Sequence, residues 1–435
     1  MKIAIIGSGI SGLTSAYYLY RHHDITVFES EGWIGGHTAT VDVCFAGEQQ
    51  SIDTGFIVFN DWTYPAFIEL MDELGIESKE TEMSFSVRCD TTGIEYGGNS
   101  FNSLFAQRLN FFKPSFHRMI RDILKFNRES IFDLENNNLS PSMKLGQYLE
   151  KNRYSSKFIN QYLVPMGCAI WSASTDDMFD FPALFFIRFF KNHGLLSVSN
   201  RPQWRVIRGG SKSYLKPLTK GFERQIKLNS KIKSVMPSRM GVHVEHHDGS
   251  TEKFDQVVMA CHSDQSHLLL DPVCFPERTL LSRIPYQSNE VVLHVDNKLL
   301  PKRKKALSSW NYWLKKQNQD KAILTYHMNT LQGFASEHDY CVTLNATESI
   351  NPEKIIQQFN YSHPVFSADS IKAANDLTER NGQNGLWFAG AYMGNGFHED
   401  GVRSGKRVAD KINQLWVEDK RILQQGEVLK EVVNA

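Results

Sequence analysis

The chain has few cysteines for its length, and they are widely scattered. Its 435 residues include six cysteines, and no two of them form a Cys-x-x-Cys pair. A disulfide framework or a structural zinc site usually shows closely spaced cysteine or histidine residues. The sequence therefore predicts neither a disulfide-stabilised fold nor a metal site.

The chain also lacks an excess of charge of either sign. Lysine and arginine total 48, and aspartate and glutamate total 48, so the formal net charge is zero. Nucleic-acid-binding proteins commonly carry a basic field that attracts phosphates, so we expect no nucleic-acid partner. One short basic stretch, Lys298–Lys305, is an exception. It is either a solvated surface loop or a patch that contacts anionic lipid head groups.

No uncharged apolar segment is long enough to cross a membrane. The most apolar segment, Phe181–Leu196, is interrupted by Arg188 and Lys191, whereas a membrane-spanning helix needs about 18 or more consecutive apolar residues. The N-terminal apolar run stops at Gly7, which is typical of a buried strand rather than of a signal peptide. We therefore expect a cytoplasmic protein, either free or held peripherally at the inner face of the membrane. The sequence leaves its oligomeric state open.

The N-terminal segment has the pattern of a strand, a glycine-rich turn, a helix and a second strand. Lys2–Ile6 and Ile25–Phe28 are short apolar runs, and Leu13–Tyr20 is predicted to be helical. The turn that precedes the helix, Gly7–Gly12, fits the Gly-x-Gly-x-x-Gly pattern. The segment therefore has the organisation of a dinucleotide-binding unit.

The chemistry of this turn suits a dinucleotide. Glycines let the backbone approach a pyrophosphate, whose negative charge is favoured at the N-terminus of the helix. Glu29 ends the second strand, where its carboxylate can accept hydrogen bonds from a ribose and disfavours the 2′-phosphate of NADP. NAD and FAD both fit this pattern. The predicted cofactor-binding residues of the segment are Gly7, Ser8, Gly9, Ser11, Gly12, Glu29 and Ser30.

Beyond this unit the sequence alternates between strand-rich and helix-rich regions. We predict a strand over Ser51–Phe59 with a break at Gly55, and a mostly helical segment over residues 100–191. Strand patterns then return, with a hairpin turn at Asp248-Gly249. The later strands are predicted at Ile226–Val235, Gly241–His246, Phe254–Ala260, Glu290–Val295, Ala322–Asn329, Tyr340–Asn345 and Gly385–Ala389, and a helix is predicted at Val402–Trp416.

The chain is longer than the size at which one hydrophobic core usually stops growing, so two domains are expected. We predict a discontinuous nucleotide-binding domain, a substrate domain that includes the helical segment, and a charged tail. The predicted boundaries are 1–75, 205–289 and 375–416 for the first domain, 76–204 and 290–374 for the second, and 417–435 for the tail.

A glycine pair shortly after Glu29 distinguishes between the two cofactors. In Trp33–Thr38 the pair is followed by a basic residue and a threonine, and at this point the chain resembles the flavin-containing amine oxidase and phytoene-desaturase-like superfamily. His37 stands where that family usually has arginine. The resemblance implies non-covalent FAD as the cofactor, contacted by Gly35, Gly36, His37 and Thr38.

The C-terminal region carries a second resemblance to this superfamily. Gly385–Gly390 is a strand that ends in Ala-Gly, and Gly394–Gly405 is a loop that leads into a helix with small residues at its start. A helix N-terminus at this point can direct its backbone N–H groups and its positive dipole end at the pyrimidine edge of a flavin. The resemblance implies that Gly390, Asp400, Gly401 and Val402 contact FAD.

Shorter segments between these motifs resemble further parts of the family's FAD site. Asp53–Phe56 resembles a strand that passes under the isoalloxazine ring, and Arg208–Ser211 resembles a glycine turn that returns the chain to the FAD domain. These matches add Gly55, Phe56 and the adenine-side residue Ile232 to the predicted site. The implied fold class is α/β. It has a Rossmann-type FAD-binding domain, as in glutathione reductase and amine oxidases, and a substrate domain of a sheet with helices.

Aromatic and histidine residues are the candidates for the substrate side of the flavin. By the same resemblance, Phe397 forms a wall of the substrate cavity, and it lacks the hydroxyl group of the tyrosine that amine oxidases use there. His193 either lines the site or caps a helix, and Tyr326 and His327 either line it or lie on the wrong face of a sheet. The candidate catalytic residues are His398, Tyr326 and His327, and the candidate lining residues are Phe397, Trp171, His193 and Trp313.

The whole chain resembles a bacterial branch of the superfamily, the predicted NAD/FAD-binding proteins that accompany enzymes of cyclopropane or methylated fatty-acid modification. The shared segments are Val164–Trp171, Asn192–Leu196 and Gly396–Gly401. This resemblance implies a lipid acyl substrate. The phenylalanines between Phe181 and Phe190, at near-helical spacing, fit either core packing or an apolar substrate tunnel.

Three functional hypotheses follow. The first is an FAD-dependent dehydrogenase or desaturase that takes a hydride from a fatty-acyl chain, with a polar side chain assisting the proton transfer. The second is a flavin amine oxidase that produces peroxide. The third is a flavin-binding protein without net redox turnover, such as an isomerase or a structural protein.

Overall fold

The computed structural model describes residues 1–316 and 321–433. Within these residues the strands β1 to β20 are, in chain order, Lys2–Ile6, Asp24–Phe28, Thr40–Phe45, Glu48–Asp53, Phe59–Asn60, Ser78–Thr81, Phe85–Cys89, Ile94–Gly97, Trp204–Ile207, Ile226–Lys227, Ile232–Ser238, Gly241–His246, Thr251–Phe254, Gln256–Met259, Tyr286–His294, Trp310–Leu314, Leu324–His327, Cys341–Leu344, Ile355–Pro364 and Leu386–Phe388. The α-helices α1 to α15 are Ile10–Leu19, Pro65–Glu73, Phe101–Leu104, Pro114–Glu135, Leu145–Lys151, Ser156–Phe158, Val164–Trp171, Thr175–Asp180, Ala183–Asn192, Leu215–Thr219, Ser263–Leu269, Phe275–Ser282, Met328–Leu331, Ala368–Glu379 and His398–Val433.

A five-stranded parallel sheet forms the centre of the nucleotide-binding part. Its strand order is β10-β2-β1-β14-β20, so segments from the beginning, middle and end of the chain lie side by side. Strand β1 is apolar and buried from Ile3 to Ile6, as expected for a sheet that is covered on both faces. Helix α1 begins at Ile10, earlier than predicted, because Gly9 has an extended backbone and its carbonyl accepts the first helical hydrogen bond, from Leu13 N.

The predicted strand Phe254–Ala260 is two strands in the structure. β13 pairs antiparallel with β12 across the turn at Asp248-Gly249, and β14 joins the parallel sheet beside β1. The chain turns between them at Asp255, whose backbone N–H donates to Lys2 O and whose carboxylate accepts from Lys2 N. Both contacts are with a residue distant in sequence, so a local pattern could not reveal the break.

A second, seven-stranded sheet has the order β19-β15-β18-β17-β16-β7-β8. The three segments predicted for a second sheet, around β15, β17 and β18, do lie in it together. Helices α3 to α9 pack on this sheet through one large apolar cluster that includes Val87, Phe158, Phe186 and Tyr312. The positions of the two sheets agree with the predicted division into two domains, whose boundaries stay a prediction.

The last helix is longer than predicted. It begins at His398 and continues to Val433, so the predicted charged tail is part of a helix as far as the structure describes it. The first turn contains Glu399 and Asp400, whose negative charges are favourable at a helix N-terminus. The residues after Trp416 contain no proline and many strong helix formers, so local propensity favours continuation. Across the described ranges, every helix is too short or too polar to span a lipid bilayer.

Candidate active site

Two glycine loops lie against each other at the carboxyl end of the parallel sheet. Gly35 N donates to Ser8 O at 2.9 Å, which joins the loop after β1 to the loop after β2. A Cβ atom added to Gly36 would lie 3.4 Å from the Cα atom of Gly9, whereas one added to Gly9 would meet nothing within 4 Å. The two loops therefore form a backbone-lined cradle with open space beside Gly9.

The acidic side chain predicted to contact a ribose lies at one edge of this cradle. Glu29 Oε2 accepts hydrogen bonds from the backbone N and the hydroxyl group of Ser8, at 3.0 and 2.5 Å. Its second oxygen accepts from Ser30 Oγ and Glu31 N. These donors fix the direction of the carboxylate, which has the further acceptor capacity that a ribose hydroxyl needs.

The C-terminal motif contacts the N-terminal motif at two glycines of helix α15. A Cβ atom at Gly401 would lie 2.7 Å from Ile10 Cγ2, and one at Gly405 would lie 2.4 Å from Ser11 O. Ser15 Oγ also donates to Gly405 O at 3.2 Å. Helix α15 can therefore approach α1 only because these positions have no side chain. The segments predicted to hold the two ends of a flavin cofactor are thus neighbours in the fold.

Three histidines cluster beside the cradle, and only His37 was predicted. The ring centroid of His37 lies 5.7 Å from that of His262, 5.5 Å from that of His363 and 5.1 Å from that of Tyr361. Burial lowers the pKa of His262 and of His363 to about 3, with smaller contributions from the neighbouring imidazoles. Burial also lowers the pKa of His37. All three rings are therefore neutral near pH 7.

A signal for His262 was present in the sequence, since it follows β14 closely and ligands bind beyond the carboxyl ends of parallel strands. His363 lies at the end of β19 in the other sheet, and no local pattern marks it.

His398 packs against the second glycine loop and does not line the cavity beside Phe397. Its Nε2 atom is 3.1 Å from both Thr38 Oγ1 and Tyr214 Oη, and its ring stacks on Phe56 with centroids 3.7 Å apart. Burial lowers the pKa of His398 well below its usual value. The side chain is thus a neutral, packed imidazole that joins three segments of the chain, and Tyr214 is a partner that the sequence did not indicate.

Asp53 ties the predicted Asp53–Phe56 segment to the Arg208–Ser211 turn. Its Oδ1 atom accepts from Ser211 N at 2.8 Å, Ser211 Oγ at 3.0 Å and Thr40 Oγ1 at 2.6 Å. Burial raises the pKa of Asp53 to about 6, against the opposing effect of these donors. Just beyond it, a Cβ atom on Gly55 would lie 2.2 Å from His37 O. This segment therefore lies directly against the second glycine loop.

The loop before α15 is held by the carboxylate of Asp400. Its Oδ2 atom accepts from Phe397 N at 3.1 Å, and the backbone N–H groups of Asn395 and Gly396 also donate to the carboxylate. Burial is the main reason why the pKa of Asp400 rises to about 6. Trp171 Nε1 donates to Asn395 O at 3.3 Å, which connects the helical insertion to the same loop. Asp400 thus orders the loop that carries Phe397.

A cavity of about 440 Å³ opens beside Phe397. One wall is aromatic, and two arginines and two carboxylates provide the charge. Its main lining residues are Trp62, Tyr64, Phe185, Phe189, Phe397 and His193, with Arg188, Asn192, Asn395, Glu399, Asp400 and Arg403. The ring of His193 stacks on Phe189 at 3.8 Å and lies 6.2 Å from that of Phe397. His193 therefore combines the two roles left open by the sequence, because it also caps α9.

Two predicted residues lie away from this site, which corrects the sequence-based interpretation. His327 contacts Thr330 Oγ1 at 2.8 Å and Asp339 at 3.0 Å, on the face of β17 opposite to that of Tyr326. Trp313 donates from Nε1 to Asp90 at 2.8 Å.

Tyr326 packs edge-on against Trp310, with centroids 5.1 Å apart, between two apolar clusters. Its role stays a prediction.

Of the other predicted cofactor residues, Ile232 is buried in the apolar cluster beside the parallel sheet, and Val402 is buried in the core shared by α1 and α15. Gly390 exchanges hydrogen bonds with the Ser404 hydroxyl group at 3.0 and 3.2 Å. Their contact with FAD stays a prediction.

The fold and the cradle define a dinucleotide-binding α/β protein with a second, substrate-side sheet. Residues 10–339 match the flavin containing amine oxidoreductase family, and this is more than half of the chain. The chain belongs to this family. None of the curated protein sequences compared with the chain matches it.

Solved structures share the fold at low sequence identity. A putrescine oxidase bound to putrescine is 15% identical, with 95% of this chain and 99% of that chain covered and a TM-score of 0.67. The CLA-producing fatty acid isomerase from P. acnes is 16% identical, with 94% and 98% covered and a TM-score of 0.67. Cyclohexylamine oxidase from Brevibacterium oxydans IH-35A is 14% identical, with 95% and 99% covered and a TM-score of 0.68. At these identities the likeness concerns the fold.

The cofactor is FAD, and the chain is an FAD-dependent oxidoreductase. The residues fit this cofactor on two observations. The space beside Gly9 would be filled by a side chain at that position, and the buried Nε2 atom of His37 has no hydrogen-bond partner among the described residues. We expect the two glycine loops, Glu29 and the start of α15 to hold FAD.

A pair of glycine substitutions separates cofactor binding from folding. Gly9→Ala places a methyl group in open space, so we expect an unchanged melting temperature of the apoprotein but at least tenfold weaker FAD binding. Gly12→Ala places a Cβ atom 2.0 Å from Gly7 O, so we expect a loss of stability of about 2 kcal/mol or more. Thermal unfolding of apoprotein and titration with FAD measure the two effects. Wild-type FAD affinity in the Gly9→Ala protein would contradict the assigned cradle.

Proposed function

We propose that this FAD-dependent oxidoreductase acts as a dehydrogenase or desaturase on a lipophilic substrate that carries a fatty-acyl chain. The observation that carries the proposal is the aromatic-walled cavity beside Phe397, on the loop that leads into α15. Bound FAD would supply hydride acceptance from a substrate carbon atom. The side chains of this chain must then bind the acyl group, exclude water and accept a proton.

The lining of the cavity supports an acyl chain. Phe185, Phe189 and Phe397 line it, and Phe189 and Phe397 stack with centroids 5.3 Å apart. Apolar surface of this kind stabilises a bound hydrocarbon chain and keeps water out. Arg188 and Arg403 lie in the same lining, so the anionic group of an amphipathic lipid has cationic partners there.

The charges of the cavity do not favour an amine. Glu399 accepts from the backbone N–H groups of Ala66 and Phe67 at the start of α2, at 3.2 and 2.9 Å, and the Asp400 carboxylate is bound to its own loop. Both carboxylates therefore already have donors, while the two arginines repel an ammonium group. Amine oxidation is the runner-up function.

The aromatic wall offers a neutral proton acceptor with a free lone pair, His193. His193 Nδ1 is 3.0 Å from Phe189 O, and because a carbonyl oxygen can only accept, Nδ1 carries the proton. Nε2 is therefore an unprotonated acceptor, and burial keeps it so by lowering the pKa of His193 to about 4. We assign to Nε2 of His193 the proton that leaves the substrate when the hydride departs.

Filling the cavity tests the site of substrate binding. In Asn192→Trp an indole enters the cavity, so we expect anaerobic reduction of the bound flavin by a membrane lipid extract to slow at least tenfold. Lys191→Trp is the matched control, because Lys191 lies on the same helix and pairs with Glu135 outside the cavity. Loss of the visible flavin absorbance measures the reduction.

Three outcomes would contradict parts of this proposal. Equal rates in both tryptophan variants would remove the cavity as the binding site. Reduction by amines but not by lipids, with peroxide formed in air, would establish amine oxidation instead. A flavin that neither class of compound reduces would favour the redox-neutral function.

The pH dependence tests the role of His193. The neutral form is the acceptor and its pKa is lowered to about 4. The contribution of His193 to the rate of flavin reduction is therefore expected to be constant from about pH 8 to about pH 5 and to fall as the pH passes below about 4, separate from any step near pH 6 caused by Asp400. His193→Gln should lower this rate by about 100-fold and abolish the dependence. Rapid pH-jump measurements of flavin absorbance provide the rates, and an unchanged profile in the variant would exclude His193 as the acceptor.

A further inference from the structure

An exposed aromatic surface lies at the start of the helical insertion, between Phe101 and Phe112. Phe101, Leu109, Phe111 and Phe112, here called the aromatic patch, are 68, 74, 51 and 79% exposed. They belong to α3 and to the 3₁₀ helix Arg108–Phe112. Large apolar side chains that are exposed together usually mark an interaction surface.

The aromatic patch has a fixed structure. The ring of buried Phe105 lies 4.7 Å from that of Phe101 and 5.5 Å from that of Phe111, and Phe111 lies 5.6 Å from Phe112. His117 Nε2 is 2.6 Å from Phe111 O, which ties the 3₁₀ helix to α4. The exposed rings are therefore contiguous and held by a buried anchor, so their exposure is a property of the fold.

The segment that carries the aromatic patch has charged side chains of one sign, and one exposed carboxylate from outside it, Glu82, accepts from Asn99 Nδ2 at 3.1 Å. From Gly97 to Arg121 the chain contains no aspartate or glutamate. The cations of this segment, all exposed, are Arg108, Lys113, Arg118 and Arg121. In the described part of the chain none of the four takes part in an ion pair.

The basic stretch noted in the sequence joins this surface. The 3₁₀ helix Lys304–Ala306 packs against α3 and β8. The buried carboxylate of Glu95 accepts from Lys302 N at 3.2 Å and Arg303 N at 2.9 Å, so the loop is fixed while its side chains are free. Lys302, Arg303, Lys304 and Lys305 are all exposed. Two segments separated by about 200 residues thus place cations beside one aromatic patch.

We propose that this face binds the surface of an anionic phospholipid bilayer, with the aromatic patch inserted at the interface and the surrounding lysines and arginines at the head groups. Aromatic and aliphatic side chains on a basic surface gain both hydrophobic and electrostatic free energy at such an interface. The absence of acidic side chains from Gly97 to Arg121 lowers the repulsion that anionic lipids meet at this face, where Arg108, Lys113, Arg118 and Arg121 outnumber the nearby Glu82. The proposal does not depend on the substrate of the enzyme.

Flotation with lipid vesicles tests the proposal on the full-length FAD-loaded protein. Vesicles of phosphatidylglycerol and phosphatidylcholine are compared with vesicles of phosphatidylcholine alone. We expect binding only to the anionic vesicles and release at high salt. Phe111→Ser combined with Phe112→Ser should abolish flotation. Lys302→Ser combined with Lys304→Ser should weaken binding about fivefold for each cation removed.

Matched variants control for general effects of hydrophobicity and charge. Phe275→Ser removes an aromatic side chain that is 71% exposed on α12, and Lys220→Ser with Arg239→Ser removes two exposed cations elsewhere. Neither change should affect flotation. Circular dichroism and flavin absorbance verify that each variant is folded and loaded.

Several results would overturn the proposal. Wild-type protein that does not float with anionic vesicles at low salt would exclude it, as would equal binding to neutral vesicles or equal loss in the control variants. Self-association is the alternative occupant of the aromatic patch. A mass that falls on Phe111→Ser and Phe112→Ser substitution, measured by light scattering without lipid, together with no flotation, would assign the patch to a second copy of the chain.

Discussion

The close contact between the first and the last helix is the constraint on which the rest of the site depends. At Gly401 and Gly405 the backbone of α15 reaches the first turn of α1, and any side chain at these positions would overlap Ile10 or Ser11. This contact places the N-terminal glycine turn and the C-terminal loop on the same side of the parallel sheet. The chain between these two motifs forms the seven-stranded sheet and the helical insertion, and it begins and ends at the cofactor site.

The resulting site is rich in polar groups whose pKa values burial shifts in favour of the neutral form. His37, His262 and His363 have lowered pKa values, and Asp53 and Asp400 have pKa values raised to about 6. The energetic reason is that an isolated charge is costly where water is excluded. Asp53 and Asp400 accept hydrogen bonds that join loops, and with pKa values of about 6 both are mostly ionised near pH 7, whereas the three histidines are neutral. Arg188 and Arg403, which line the cavity beside Phe397, are different because they are exposed to solvent.

Much of the cofactor site could be predicted from the sequence because it rests on local requirements of the backbone. Glycines are needed where loops and helices approach each other, and these positions stand out as short motifs, from Gly7–Gly12 to Gly401. The bounds of β1 and β12 were likewise predicted to the residue, since each is a compact run bordered by turn residues. The prediction failed where a distant contact decides the structure, as at Asp255, and where strand alternation turns His327 away from Tyr326.

The sequence by itself determined the βαβ unit, because motif spacing and hydrophobic period are encoded locally, and its resemblance to a known family pointed to FAD rather than NAD. Only the tertiary structure decided which side chains meet. It brought three histidines together beside the cradle, stacked His193 on Phe189 in the wall of the cavity, and set Lys302–Lys305 beside exposed rings at least 190 residues earlier in the chain. The physical reason is that such contacts arise from the packing of segments whose own sequences specify only a strand, a helix or a turn.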